Sequence, residues 1–311
     1  MIDFSIIIPN YNGQKFLKKC FDSLKKQTFK NFEIILVDNN SSDDSINFCE
    51  KNYPEVKLIK MKSNGGFASA VNAGYNQSSG NLIALLNNDT EVDKDWLKEV
   101  KQAAESQPVA GFFASKMLDF EDRTIIDSCG DGLHWGGRSY NIGQLEKDNG
   151  NFDKDELVFG ACAGAAIYRK EVFDKIGLLD DDFFMYLEDV DFDFRAQMAG
   201  FKCLFVSKAK VYHIGSATSG KRSAFIFKYS TKNRLHLIYK NYPTSKLFTK
   251  LPNIIFSECR FFAASIKHAY TKEYFQGIFM AFKEHQKMIP KRNKIQTSKA
   301  IKIKYLDEII E

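Results

Sequence analysis

An α/β fold, with a mostly parallel sheet flanked by helices and a basic helical C-terminal tail, is predicted by three features of this sequence. Short apolar runs alternate with segments of helical period through the first ninety residues. Polar clusters stand at the ends of the first, second and fourth of those runs. The charge balance reverses near residue 220: residues 1–219 hold 25 Lys+Arg against 33 Asp+Glu, and residues 220–311 hold 19 against 6.

The apolar runs at 4–8, 32–37, 56–59 and 82–86 read as buried strands. Between them Phe16, Leu17, Cys20, Phe21 and Leu24 recur at helical spacing, and 67–75 open an Ala-rich helix. Alternation of this kind means βαβ units, a parallel sheet and right-handed crossovers. The clusters Pro9-Asn10-Tyr11-Asn12, Asp38-Asn39-Asn40-Ser41-Ser42-Asp43 and Asn87-Asn88-Asp89 then share the carboxyl edge of the sheet, where such folds bind ligands. From about residue 106 the pattern loosens. Gly130, Gly132, Gly136, Gly137 and Gly143 interleave with His134, Trp135 and Tyr140 in a loop or hairpin region. Small residues at 159–166 lead into a strand, and a helical segment at 170–176 ends at Gly177. A helix begins at Glu188, since Phe192, Arg195, Ala196 and Ala199 continue at helical spacing to Gly200. Lys210-Val211-Tyr212 reads as a short strand with His213 at its end.

At 311 residues and 44% hydrophobic content the chain suits one large domain, or one with an appendage. We expect a body over 1–219, divided near residue 105 into two halves, and a basic extension over 220–311. The six cysteines stand singly, with no Cys-x-x-Cys pair, which argues for reduced thiols rather than disulfides or a zinc site. The N-terminus shows no secretory-signal pattern and no stretch is apolar for long enough to span a bilayer, so the expected location is cytoplasmic. The basic tail points to an anionic partner. Ile255, Cys259, Phe262 and Ile266 form one apolar stripe, which serves equally to complete a core. Phe275, Ile278, Phe279 and Phe282 form a second, beside Lys283, Lys287, Lys291 and Arg292, as an interfacial helix needs. A membrane surface is the partner expected there, on the inner face of the cytoplasmic membrane.

The chemistry sits at the strand ends. Asp38 can accept from a nucleobase or ribose, while Ser42 or Asp43 caps the next helix. Asn64-Gly65-Gly66 opens a helix whose N-terminus favours an anion such as diphosphate and lets backbone approach a ligand. Asp89 follows an apolar run and offers one oxygen ligand to a hard divalent cation, which needs a second; His213 is the best candidate. Mn²⁺ accepts that mixed shell more readily than Mg²⁺. Glu188, Asp189 and Asp191 crowd three carboxylates into four residues after an apolar approach, an arrangement that raises a pKa and suits a general base.

Taken together, Ser5-Ile6-Ile7-Ile8-Pro9-Asn10-Tyr11-Asn12-Gly13, Val37-Asp38-Asn39-Asn40, Asn64-Gly65-Gly66-Phe67, Asn87-Asn88-Asp89-Thr90, Phe184-Met185-Tyr186-Leu187-Glu188-Asp189-Val190-Asp191 and His213 resemble family 2 inverting glycosyltransferases of the GT-A fold, most of all their rhamnosyltransferase-like branch. The resemblance covers about 4–220. It implies nucleotide contacts at Pro9, Tyr11, Asp38, Asn40, Asn64, Gly65, Gly66, Asn87 and Asn88, Mn²⁺ or Mg²⁺ on Asp89 and His213, and Asp189 as base with Glu188 beside it. Two departures are Asn87, where many relatives carry aspartate, and Val71, where many UDP-sugar relatives carry arginine. The second favours a dTDP-deoxysugar, with dTDP-rhamnose the expected donor and a UDP-sugar such as UDP-galactofuranose the alternative. The implied acceptor is a cell-surface glycan or lipid-linked oligosaccharide, and the helix carrying Tyr229, Asn233, Arg234 and Leu237 resembles one that closes on donor or acceptor.

Other classes fit less well. A nucleotide-sugar-binding protein without catalysis needs Asp38 and Asp89 but not Asp189. A dehydrogenase needs Gly-x-Gly-x-x-Gly after the first strand, where Pro9-Asn10-Tyr11-Asn12-Gly13 stands. A sugar nucleotidyltransferase needs a Gly-rich loop with Arg and Lys at that place. No nucleic-acid-reading motif accompanies the basic tail, so nucleic acid is not an expected partner.

Overall fold

A computed structural model describes residues 2–215 and 223–311. The first half alternates as the sequence predicts: β1 (Phe4–Asn10), α1 (Gln14–Lys25), β2 (Phe32–Asp38), α2 (Ser45–Asn52), β3 (Lys57–Lys60), α3 (Gly66–Tyr75) and β4 (Leu82–Leu86). The next stretch holds β5 (Thr90–Val92), α4 (Trp96–Ser106), β6 (Ala110–Asp119), β7 (Ile126–Ser128), the hairpin β8 (Asp131–His134) and β9 (Arg138–Asn141), and β10 (Glu156–Val158). Then come β11 (Ala165–Arg169), α5 (Lys170–Ile176), α6 (Glu188–Met198) and β12 (Lys202–His213).

The main sheet runs β10-β12-β6-β11-β4-β1-β2-β3. It is parallel across β3-β2-β1-β4 and again between β6 and β12, with β11 antiparallel between β4 and β6. β1 and β4 are almost wholly buried, as strands covered on both faces must be. One core lies under α1, α2 and α4, with Phe4, Phe21, Trp96 and Phe113; the other face packs α3, α5 and α6, with Val71, Tyr168, Phe173 and Phe192. Val71, read as a departure where many UDP-sugar relatives carry arginine, is fully buried core.

Three local expectations are corrected. The strand before His213 is not short: it is the 12-residue β12, which the polar residues Lys202, Ser207, Lys208 and Lys210 disguised. Neither Ser42 nor Asp43 is the N-cap of α2; Asp44 holds that position without a side-chain cap, and Asp43 accepts from the Ser45 and Gln14 N–H groups (3.1 and 2.9 Å). Lys287, Lys291 and Arg292 do not stand free beside an apolar stripe. Lys287 and Lys291 pair with Asp182 (3.0 and 2.6 Å), Lys291 also with Asp180, and Arg292 donates to the Tyr239 and Tyr242 carbonyls.

The tail is helical: α7 (Ala224–Asn241), α8 (Thr244–Thr249), α9 (Leu251–Lys267), α10 (Thr271–Thr297) and α11 (Leu306–Ile309). The expected boundary at 219/220 falls outside the described residues. α7 joins a third core in which Leu237, Ile238 and Tyr242 pack with Trp135, Phe183, Phe194, Ile295 and Leu306. Asp191, buried on α6, stitches this layer to the body through Arg195 (2.9 Å), Lys240 (2.8 Å) and Asn241 (2.7 Å). Buried ions survive only when paired in this way. The first apolar stripe does not complete a core, since Ile255, Cys259 and Ile266 are exposed, as are Phe275, Phe279 and Phe282 of the second. No helix among the described residues is long and apolar enough to cross a membrane. All six cysteines are free.

Candidate active site

The carboxyl edge of the sheet is laced by amides. Asn10, ending β1, donates to the Asp38 carboxylate at the end of β2 (3.0 Å) and accepts from Asn88 beyond β4 (2.7 Å). Asn39 accepts from Gly65 N–H and donates to the Gly66 carbonyl (both 2.9 Å), which fastens the start of α3 to β2. Gly13 has no room for a side chain, because a Cβ there would lie 2.1 Å from Asn88.

Above this lacing lies a cavity of about 530 Å³. Pro9, Tyr11, Asn64, Asn87, Asn88, Asp89, Glu188, Asp189 and His213 all line it, so the structure brings nine expected site residues together. Asp38, Asn40, Gly65 and Gly66 do not reach its wall. Asp38 is fully buried, with its oxygens taken by Asn10 and by the Ser41 N–H (2.9 Å). Gly66 has φ +83°, and a Cβ on it would stand 2.2 Å from the Phe184 carbonyl oxygen. The close approach read from these glycines is therefore to protein backbone, where Phe67 N–H donates to Phe184 O (2.7 Å).

The segment before α6 is held in an uncommon shape. Phe184, Tyr186 and Leu187 all have positive φ (65°, 71° and 65°), a conformation that non-glycine residues keep only where their surroundings impose it. Asn233 imposes it from α7, its side-chain amide reaching the carbonyls of Phe183, Met185 and Tyr186 (2.9, 2.9 and 2.7 Å). The result aims Glu188 and Asp189 into the cavity from the first turn of α6.

Asp189 accepts from the Ala163 N–H (3.2 Å) and the Val190 N–H (2.8 Å). Burial raises its pKa, and those amides pull partly against the rise. Burial also pushes Glu188 well above the usual carboxylate range, as does the Asp189 charge. The two neighbours thus differ: Asp189 is braced by donors as an anion, while Glu188 leaves Oε2 without a protein partner.

His213 Nδ1 meets Asp127 Oδ2 at 2.7 Å, while Nε2 faces Asp89 Oδ1 at 3.4 Å and Asn87 Nδ2 at 3.5 Å. An imidazole whose far nitrogen is held by a carboxylate is the arrangement of a metal-ligating histidine, so these residues fit a divalent cation between Asp89 and His213. Asp127 went unread in the sequence because it lies just before the glycine-rich stretch, on a three-residue strand with no spacing signal. Arg234, read in the sequence as part of a helix closing on donor or acceptor, also lines the cavity, as do Asp131, Cys162, Arg138, Asn141 and Ser230, which were not singled out.

An amide lacing, a carboxylate–imidazole pair and a braced carboxylate thus meet at one edge of a GT-A-like sheet, and solved structures agree on the fold. GalNAc-T7, solved with UDP, GalNAc and Mn²⁺, superposes with TM-score 0.63 at 17% identity over 77% of this chain and 48% of that one. Residues 1–349 of Staphylococcus aureus TarS, solved in complex with UDP, superpose with TM-score 0.52 at 18% identity over 96% and 91%. Residues 5–177 match glycosyl transferase family 2, and the chain belongs to that family. Among curated relatives, the glycosyltransferase GlyA of Streptococcus pneumoniae is 35% identical over 97 residues, 30% of this chain and 14% of GlyA. The uncharacterised glycosyltransferase EpsJ of Bacillus subtilis is 29% identical over 209 residues, 62% of this chain and 55% of EpsJ. The chain thus spans about half or less of the length of these two relatives.

Proposed function

We propose that this protein transfers a sugar, with inversion, from a nucleoside diphosphate donor to a glycan or lipid-linked acceptor. The observation that supports it most is the meeting of Asp89, His213 and Asp189 in the cavity that Tyr11, Asn64 and Asn88 also line. Asp189 removes the proton of the acceptor hydroxyl as that oxygen attacks the anomeric carbon. Asp89 and His213 would hold Mn²⁺ or Mg²⁺, which would supply positive charge to offset the negative charge developing on the departing diphosphate. Tyr11, Asn64 and Asn88 seat the nucleotide. The acceptor enters from the side of β9 and α7, where Arg138, Asn141, Ser230 and Arg234 stand. In this reading 1–219 is the catalytic domain and 220–311 its basic helical extension, of which the helices from α7 onward pack against the body.

The donor reading is dTDP-rhamnose, for want of an arginine at Val71. UDP is the second reading, favoured by the UDP in the GalNAc-T7 and TarS structures. Thermal melts with dTDP, UDP and GDP, each with and without Mn²⁺, test both. A ligand at about 100 times its dissociation constant adds roughly 2.7 kcal/mol. A Mn²⁺-dependent shift with dTDP supports the first reading, one with UDP moves the donor, and no shift removes the proposal.

The partner proposed for the tail is a membrane surface. Phe248, Phe256, Phe279 and Phe282 on α8, α9 and α10 are 74%, 64%, 67% and 81% exposed, which supports an interfacial face even though Lys287, Lys291 and Arg292 are engaged elsewhere.

A further inference from the structure

The base has a neighbour that the proposed reaction does not use. Asp131 opens β8, is only 5% exposed, and lines the same cavity as Asp189. Its backbone is committed, pairing with Gly160 in both directions (2.8 and 3.0 Å), but its side-chain Oδ1 has no partner. Polar atoms of Asp131, Cys162 and Asp189 all lie within 4.8 Å of one another. Two carboxyl groups this close, Asp131 buried and Asp189 half-buried, oppose each other's ionisation, which favours one keeping its proton.

Which one keeps it follows from the donors around each. Asp189 receives N–H groups on both oxygens, the support an anion needs. Asp131 Oδ1 receives none. The charges acting on Asp131 are those of Asp189 and Asp127, both negative, and with burial they drive it well above the usual carboxylate range. Cys162 beside it is driven up as a thiol by burial and the same carboxylates, and Glu188 and Asp193, before and after Asp189 on α6, are also pushed up by burial. The nearby cations are engaged elsewhere: Arg138 meets His134 (2.7 Å) and Arg234 pairs with Glu258.

We propose that Asp131 is a positioning residue for the base, held as the neutral carboxylic acid with its O–H directed at Asp189, so that the two carboxyl groups act as a pair sharing one proton. The inference rests on Asp189 being the base. In the reaction the acceptor O–C bond forms, the anomeric C–O bond to the diphosphate breaks with its electron pair leaving on the diphosphate, and the acceptor proton passes to Asp189. The pair then holds two protons, one on each carboxyl, and returns one to solvent when product leaves. The role of Asp131 is to fix the rotamer of Asp189 and to keep a second negative charge away from it.

Asp131→Asn preserves shape and an N–H donor; Asp131→Ala removes both. An infrared difference spectrum of wild type minus Asp131→Asn at pH 7, which needs neither donor nor acceptor, should contain a protonated-carboxyl C=O band. A carboxylate band in its place overturns the proposal. So does loss of the acid band from wild type on adding stoichiometric Zn²⁺ or Mn²⁺, which would make the cluster a cation site. In turnover, the acid limb of the pH profile should stay in place for Asp131→Asn. It should move to higher pH for Asp131→Ala, with kcat about ten- to a hundredfold lower, the loss of one hydrogen bond to a charged group. A limb that moves to lower pH in both variants means that an anion was removed, and the proposal falls. Thermal melts separate these effects from misfolding. Full turnover in Asp189→Asn would remove the base itself while leaving the infrared result standing.

Discussion

His213 lies between two carboxylates, and that position fixes how the site responds to pH. Hydrogen bonds to Asp127 and Asp89 raise its pKa to about 10 against the opposing effect of burial. With no cation bound it is therefore an imidazolium at neutral pH, and a metal must displace its proton. Proton and metal compete, so Mn²⁺ affinity should strengthen as pH rises toward about 10 and weaken below, which calorimetry at several pH values checks. Asp127→Asn should weaken Mn²⁺ binding by about 10–100-fold without touching the metal directly. Asp189→Asn should leave nucleotide binding intact and lower turnover by ~10²–10⁴-fold, measured as kcat with donor affinity as the control. At this scale the sequence was most informative where a residue ends a strand: Pro9, Tyr11, Asn88, Asp89 and His213 were legible because an apolar run stops beside them. Asp127 and Asp131 were not, because one lies on the three-residue strand β7 and the other opens the β8–β9 hairpin, and nothing in their local pattern records their long-range neighbours.

At the scale of the element, the segment 183–187 carries the largest share of site geometry. Phe184, Tyr186 and Leu187, all at positive φ, are held by Phe67 N–H on the Phe184 carbonyl and by Asn233 on the carbonyls of Phe183, Met185 and Tyr186. Asn233→Ala leaves those carbonyls unpaired at a cost of about 1–3 kcal/mol in stability. It should also lower kcat by more than it weakens nucleotide binding, since Asp189 loses its aim while Tyr11 and Asn88 stay where they are. Denaturant melts and a kcat-against-Kd comparison test this. Asn233 could be placed on a helix by spacing, but its grip on a loop fifty residues away could not be read, since long-range contacts leave no periodic mark. The exposed face of α9 and α10 gives a second test. Phe279→Ser with Phe282→Ser should abolish sedimentation with anionic-lipid vesicles while leaving the melting temperature in place. Binding unchanged by both substitutions would end the membrane reading.

For the whole molecule, the alternation of strands and helices, the shared ligand edge and the helical tail were all legible, because period and strand-end chemistry are local properties. The relation of the tail to the body was not. The charge reversal near residue 220 suggested an appendage, yet buried Lys240 spends its charge on Asp180 and Asp191, and Leu237 and Tyr242 fill the core beside Trp135. A chain cut at residue 219 should therefore lose cooperative thermal unfolding, exposing Trp135 and Phe194, rather than yield a smaller active enzyme.

α7 touches both ends of the molecule's work: on one side Asn233 shapes the approach to Asp189, and on the other the helix packs against α10, whose outer face carries Phe279 and Phe282. If a membrane surface shifts α10, the shift bears on α7, which packs against it and carries Asn233. Thermodynamic reciprocity then requires the converse: if vesicles change the affinity for nucleotide by some factor, nucleotide changes the affinity for vesicles by the same factor. The enzyme would then sense where it is through the same helix that sets its catalytic geometry.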